Sequence, residues 1–294
     1  MSKEGPVITR RDFMRGVASA ALSAAVGFPV AAQTGTPKES RVVLIRDEAV
    51  LDADGKLSPE VLGRMLDLAV AKVLRKSRAA AAWKSLVSPG DFVGIKSNVW
   101  ARLRTPPELE EIIRKRIISA GVPANKVFCD DRGSREEFKA STALINVRPA
   151  RSHHWSGMGG CIKNYVILSS SPPQYHPDSC ADLATIWRLP IVKGKTRLNI
   201  LVLLTPQFYG RGAHSFDPRY VWQYKGLAVS TDPVAVDAVG AHLLRTKRVQ
   251  YFGEDKPITP TKHIAVADQK YGLGVSDLNR IELIKLGWTK DVLI

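Results

Sequence analysis

Cysteine is scarce, with only Cys129, Cys161 and Cys180 among 294 residues. Three thiols cannot supply a four-thiolate motif of the C-x-x-C-x-x-C kind, so an intrinsic iron–sulfur module is excluded, and so is a disulfide framework of several bridges. Acidic residues are also few. Against 43 Lys and Arg stand 28 Asp and Glu, a formal net charge of +15, which attracts polyanions, acidic lipids or acidic small molecules. Beyond residue 32 no apolar run reaches the ~18 residues needed to span a bilayer. Hydrophobic residues make up 45% of the chain, enough for a sizeable core, which excludes the disordered and collagen-like classes.

The first motif present is Thr9-Arg10-Arg11-Asp12-Phe13-Met14-Arg15, followed by small and apolar residues from Gly16 to Ala32. Paired arginines, an aromatic residue two places on, a moderately apolar stretch and the Val30-Ala31-Ala32 ending follow the order of a twin-arginine export signal. The expected organisation is a signal over residues 1–32, a polar leader over 33–40 and one α/β domain over 41–290. Cleavage near Ala32 would remove four basic and two acidic residues, leaving +13. The address implied is the periplasm, reached through the twin-arginine translocation machinery, and no nucleic acid is expected as a partner. Basic clusters such as Lys72, Arg75, Lys76 and Arg78 read as solvated helix faces, or as an attraction for an anionic envelope surface.

Downstream, strand and helix signals alternate. Arg41 to Arg46, Phe92 to Lys96 and Val127 to Asp130 read as short buried strands. Ser58-Pro59 opens a helix with Leu62, Met65, Leu66, Ala69 and Val73 at helical spacing. Thr105-Pro106-Pro107-Glu108 has the form of a capping box before Leu109, Ile113 and Ile117. Leu198 to Leu204 is a continuous apolar run suited to a central strand, Gly226 to Ser230 reads as another, and Asp232-Pro233 opens a helix. His263 to Ala267 and Arg280 to Ile284 read as late strands. The fold class is therefore α/β, a mostly parallel or mixed sheet with helices on both faces and a long loop-rich insertion from about Arg151 to Pro190.

Polar groups that end a strand in such a sheet face the crevice at its carboxyl edge. Lys96-Ser97-Asn98 and Asp130-Asp131-Arg132-Gly133 occupy such ends, although Asp, Asn and Gly also suit ordinary turns. The segment from His153 to Asn164 combines glycines with Lys163 and Asn164, yet has neither the glycine spacing nor the following Ser or Thr of a Walker A loop. His176 and Cys180 would share a helix face if Pro177 stood in a first turn. With His153, His154 or Cys161 they would complete a site of nitrogen and sulfur ligands for a divalent metal such as zinc or copper. A Cys161–Cys180 disulfide is the competing use of the same sulfurs. Asp237 lies about 140° around its helix from Asp232 and, if buried, needs a partner such as Lys163 or His153.

In order, Val93-Gly94-Ile95-Lys96-Ser97-Asn98, Thr105-Pro106-Pro107-Glu108-Leu109, Cys129-Asp130-Asp131-Arg132, His153 with Gly157 and Lys163-Asn164, His176 with Cys180, and Ser230 to Gly240 make up a recognisable series, closed by Gly272-Leu273-Gly274. The chain resembles the domain of unknown function 362 family, in its exported branch, from about Val42 to Leu286. It departs from that pattern at Gly159, where the family often has Thr, and at Leu201-Val202-Leu203-Leu204, where the family often ends the strand with Asp. The resemblance implies a fold and candidate positions, without a reaction. Appended ferredoxin segments occur in the family; this chain lacks the cysteines for one.

The function expected is binding of a small acidic ligand, with or without a divalent metal, by Lys96, Asn98, Asp130, Asp131, His153, Lys163, Asn164 and Asp237. A metal-assisted or redox enzyme and a non-catalytic basic envelope-binding protein are the alternatives. Export should depend on the arginine pair. Replacing Arg10 and Arg11 by Lys is expected to leave precursor in the cytoplasm on cell fractionation, and undiminished mature protein in the periplasm would refute the address.

Overall fold

A computed structural model describes residues 40–212 and 215–294. The twin-arginine string, the apolar stretch after it and nearly all of the polar leader lie outside the described residues. Eight strands among the described residues form one sheet: β1 (Ser40–Arg46), β2 (Val93–Lys96), β3 (Val127–Asp130), β4 (Ala143–His153), β5 (Gly157–Gly159), β6 (Thr196–Gln207), β7 (Gly226–Ser230) and β8 (Ile281–Gly287). Their order is β3-β2-β4-β6-β7-β1-β8, with β5 paired to β4. Only β7 and β5 run against their neighbours, so the sheet is mixed and mostly parallel.

Period-two side-chain alternation divides the core into two layers. In β6, Leu198, Ile200, Val202 and Leu204 enter one layer, while Leu201 and Leu203 enter the other. Helices α1 (Pro59–Val73), α2 (Ala79–Leu86) and α3 (Pro107–Ser119) bury Leu62, Met65, Trp83, Leu109 and Ile113 against the first layer. On the opposite face lie α4 (Arg135–Ala140), α5 (Pro233–Phe252), α6 (Lys262–Gln269) and the turn-rich segment that contributes Ile162, Tyr165, Leu183 and Ile186. The helix starts follow their chemistry. Ser58 accepts from the Val61 N–H ahead of Pro59, and Asp232 accepts from the Val234 and Ala235 N–H groups ahead of Pro233.

Four local expectations are corrected. His263 to Ala267 is the body of α6, because His263, Ile264 and Ala267 face the core at helical spacing. Thr105 caps nothing: its hydroxyl accepts from the Asn98 N–H, and Pro106 precedes the helix without a side-chain cap. The loop-rich stretch expected from about Arg151 starts later, because Ala143 to His153 is a strand buried along its whole length. Pro177 does not open a regular helix. Asp178, Ser179 and Cys180 take φ of 50°, 55° and 60°, three successive left-handed residues that each cost about 1–2 kcal/mol. No helix among the described residues is long and apolar enough to cross a membrane.

At the hairpin between β4 and β5, Gly157 has φ +71°, and a Cβ there would meet the Thr259 carbonyl oxygen at 2.4 Å. Gly194 has φ +73° with nothing within 4 Å. Gly194→Ala should therefore cost only the left-handed penalty of ~1–2 kcal/mol. Gly157→Ala adds overpacking against backbone, a further ~1–3 kcal/mol. Thermal midpoints should fall in that order; equal shifts would show that the contact at Gly157 relaxes freely.

Candidate functional site

Strand β2 is followed by β3 on one side, and β4 leads on to β6 on the other, so the carboxyl ends of β2 and β4 flank a topological switch point, the usual ligand crevice of an open α/β sheet. A cavity of about 170 Å³ opens there, lined among others by Asn98, Asp131, His153, Lys163, Asn164 and His176. Six of the residues chosen from the sequence thus meet at one place. It is also lined by Trp100, Arg148 and Arg151, which sequence reasoning missed, and by Arg132 and Trp155, which stand in the segments expected there without having been singled out. A larger cavity of about 410 Å³ beside α5 and α6 is lined by Arg245, Arg248 and Asp255. There Asp255 already pairs with Arg248 at 2.6 Å and with Arg245 at 3.5 Å, so its charges are spent on one another.

At the smaller cavity Lys96 and Asp131 cancel. The fully buried Lys96 donates to Asp131 at 2.6 Å and to the Ser97 carbonyl at 2.8 Å. Burial lowers the lysine to about 8 while Asp131 pulls it back up. Burial alone would raise Asp131, but Lys96, the Val99 N–H and Arg132 outweigh it and hold the carboxyl below its usual range. Lys96 is therefore a structural ion-pair partner beneath the cavity and does not line it. Asp130 does not line it either, because its oxygens accept from the backbone N–H groups of Asp131, Arg132 and Ser134. That is turn chemistry.

Asn164 stitches the switch point together, its amide donating to the Lys96 carbonyl on β2 and to Asn146 and the Val147 carbonyl on β4. Asn98 accepts from Arg151 at 2.7 Å. Arg148 and Arg151 both lie in β4, where pairing with β6 shifts register between Pro149 and Arg151. That break interrupts the alternation and lets residues of opposite parity reach one cavity. Both guanidinium groups are buried, and the Nε of each has no hydrogen-bond partner among the described residues. Burial, followed by the neighbouring Arg148, lowers Arg151 to about 9. Lys163, held to about 8 by burial, donates among the described residues to the Cys180 sulfur at 3.5 Å.

Asp237 sits behind this arrangement, and the expected contact with Lys163 or His153 is not made. Its oxygens accept from the Cys161 and Ile162 N–H groups at 2.7 and 2.8 Å. A Cβ on Gly160 would lie 2.3 Å from one of them, which is the reason for glycine there. Burial pushes Asp237 up to about 7 against those N–H bonds and the charge of Arg148.

All three cysteines are unpaired, so the Cys161–Cys180 bridge is not formed. His153, Cys161, His176 and Cys180 do not form a ligand set: among the described residues no group of three or more His, Cys, Asp and Glu is arranged to hold a metal ion. His153 and His176 line the cavity, whereas the left-handed turn carries Cys180 to Lys163.

The site is thus a small, cation-rich cavity at the switch point of an α/β sheet. The sequence model of the family described as Domain of unknown function (DUF362) matches residues 114–242, which supports the resemblance seen in the motifs. That segment holds Asp131, Arg148, Arg151, His153, Lys163 and Asn164 and leaves Lys96 and Asn98 outside. No curated protein and no solved structure matches the chain.

Burial favours the neutral imidazole of His153 and His176 at the site and of the buried His263 in α6. His153 Nδ1 accepts from the Trp155 N–H, which places the ring proton on Nε2. Burial first, then Lys163 and other cations, pushes His153 far down, His176 to about 4 and His263 to about 3. In the unfolded chain these rings titrate near ~6.5. Between that value and about 4 the unfolded state binds more protons, so their stabilising contribution is lost as pH falls. Asp237 works the opposite way, one group against four rings, since burial also lowers His242. The thermal midpoint should fall from pH 7 to pH 5, and fall less in His263→Leu; a midpoint that rises on acidification would refute neutral burial of the rings.

Proposed function

We propose that this chain is an exported periplasmic protein that binds a small acidic ligand in the cavity between the carboxyl ends of β2 and β4. The observation that carries this reading is the pair of buried guanidinium groups, Arg148 and Arg151, each with an unpartnered Nε at a cavity whose lining carboxylate, Asp131, is already paired with Lys96. A buried donor without an acceptor costs about 1–3 kcal/mol, and a carboxylate or other oxyanion removes that cost. About 170 Å³ is well below the ~300–1,000 Å³ of pockets for drug-sized ligands, so the ligand is small. Asn98 and Asn164 fix the walls, Trp100 receives Arg151 and Arg132 at 5.6 and 5.7 Å from its ring centre, and His153 contributes a neutral N–H. The twin-arginine machinery would deliver the folded protein. The four ligands first chosen for a metal do not converge, so the reading is carried by charge alone.

Binding should be measurable as a rise in thermal midpoint with lactate or inorganic phosphate. Arg148→Met removes a charge-assisted contact worth about 1.5–3 kcal/mol, an expected loss of roughly 10- to 100-fold in affinity. Unchanged affinity in that variant, or no response of the wild type to either anion, would overturn the assignment.

A further inference from the structure

The two lysines of this site differ in what surrounds them. Lys96 is locked to Asp131 and to the Ser97 carbonyl. Lys163 lines the cavity, is buried, and among the described residues has no carboxylate partner; its recorded contact is the Cys180 sulfur. That sulfur is no counter-charge. The thiol lies 3.8 Å from the His176 carbonyl, to which it donates, and burial raises it further from ionisation. The charge of Arg148 acts on Lys163 and disfavours its protonation. Such a desolvated amine beside another cation is the setting in which lysine acts as a nucleophile toward carbonyl carbon. The backbone makes an unusual provision for this pair, since Cys180 reaches Lys163 through the left-handed turn of Asp178, Ser179 and Cys180, and strain of that kind concentrates at functional sites.

We propose that Lys163 forms an imine with a small 2-oxo carboxylate whose carboxylate group is held by Arg148 and Arg151. The inference rests on the anion-binding reading and narrows its ligand. In a cavity of about 170 Å³ the group that meets the guanidiniums and the group that meets the amine are close neighbours, as carboxylate and carbonyl are in a 2-oxo acid. The amine nitrogen gives its lone pair to the carbonyl carbon, the C=O π pair passes to oxygen, and one nitrogen proton moves to that oxygen to give a carbinolamine. The C–O bond then breaks, the hydroxyl leaves as water with the second nitrogen proton, and C=N remains. One amine and one carbonyl thus yield one imine and one water, with no oxidant or metal.

The test uses the full chain, pyruvate as the probe and sodium cyanoborohydride as the trap, with peptide mapping by mass spectrometry. Lactate, which has the carboxylate and no carbonyl, serves in parallel as a binding probe. The expected result is one reduced pyruvate adduct per chain, on the peptide containing Lys163, suppressed by excess lactate and lost in Arg148→Met. Because the mapping reads the wild-type protein, it does not depend on the folding of a Lys163 variant. Adducts scattered over exposed lysines overturn the proposal. So does the absence of any adduct while lactate still raises the thermal midpoint, an outcome that leaves the anion site standing. Absence of both adduct and lactate binding overturns the two together.

Discussion

Burial of positive charge at the ends of parallel strands is the constraint around which this molecule is organised. A cation taken out of water is costly unless it is paired and hydrogen-bonded. At the switch point Lys96, Arg148, Arg151 and Lys163 are all buried, and Asp131 is the carboxylate among the lining residues. Lys96 takes it. Arg151 is accommodated by the Leu103 carbonyl and Asn98, and Arg148 by the more distant charges of Asp131 and Asp237. What remains is an excess of unspent donors around a small cavity. A fold selected for stability alone would not gather them, since apolar residues of similar size would serve the core better.

The scaffold absorbs this through its two apolar layers. Leu198, Ile200 and Val202 on one side of β6, and Leu201 and Leu203 on the other, are held under α1 to α3 and under α5. Asn164 links β2 to β4 by three hydrogen bonds, so the polar edge is tied to the same strands that carry the core. Asp237 does the equivalent work from α5, fixing the backbone at Cys161 and Ile162 just before Lys163.

Much of the scaffold was legible in the sequence because its strands are short apolar runs and its helices have capped, periodic starts. Val127 to Asp130 and Gly226 to Ser230 were read with their observed bounds. β4 was not, because Arg148, Pro149 and Arg151 interrupt the pattern that marks a strand; two arginines inside an otherwise buriable run were the available signal. His263 to Ala267 has an apolar run too short for periodicity to separate strand from helix. Lys163, Asn164 and His153 were found from local density of polar groups beside glycine. Trp100 was invisible that way, since only the fold brings it to the cavity, whereas Arg132 stood in the strand end from Asp130 to Gly133 without being chosen as a ligand. The left-handed turn at Asp178 to Cys180 has no sequence signature, for none of its residues is glycine.

Trp155 lines the cavity, is 43% exposed and stacks on His176 with ring centres 3.9 Å apart. The indole therefore borders the cavity, an imidazole and water at once. Its emission would therefore respond to solvent displacement if the cavity is filled and to quenching if the neighbouring ring gains a proton. The wall that shapes the cavity would also report its occupancy.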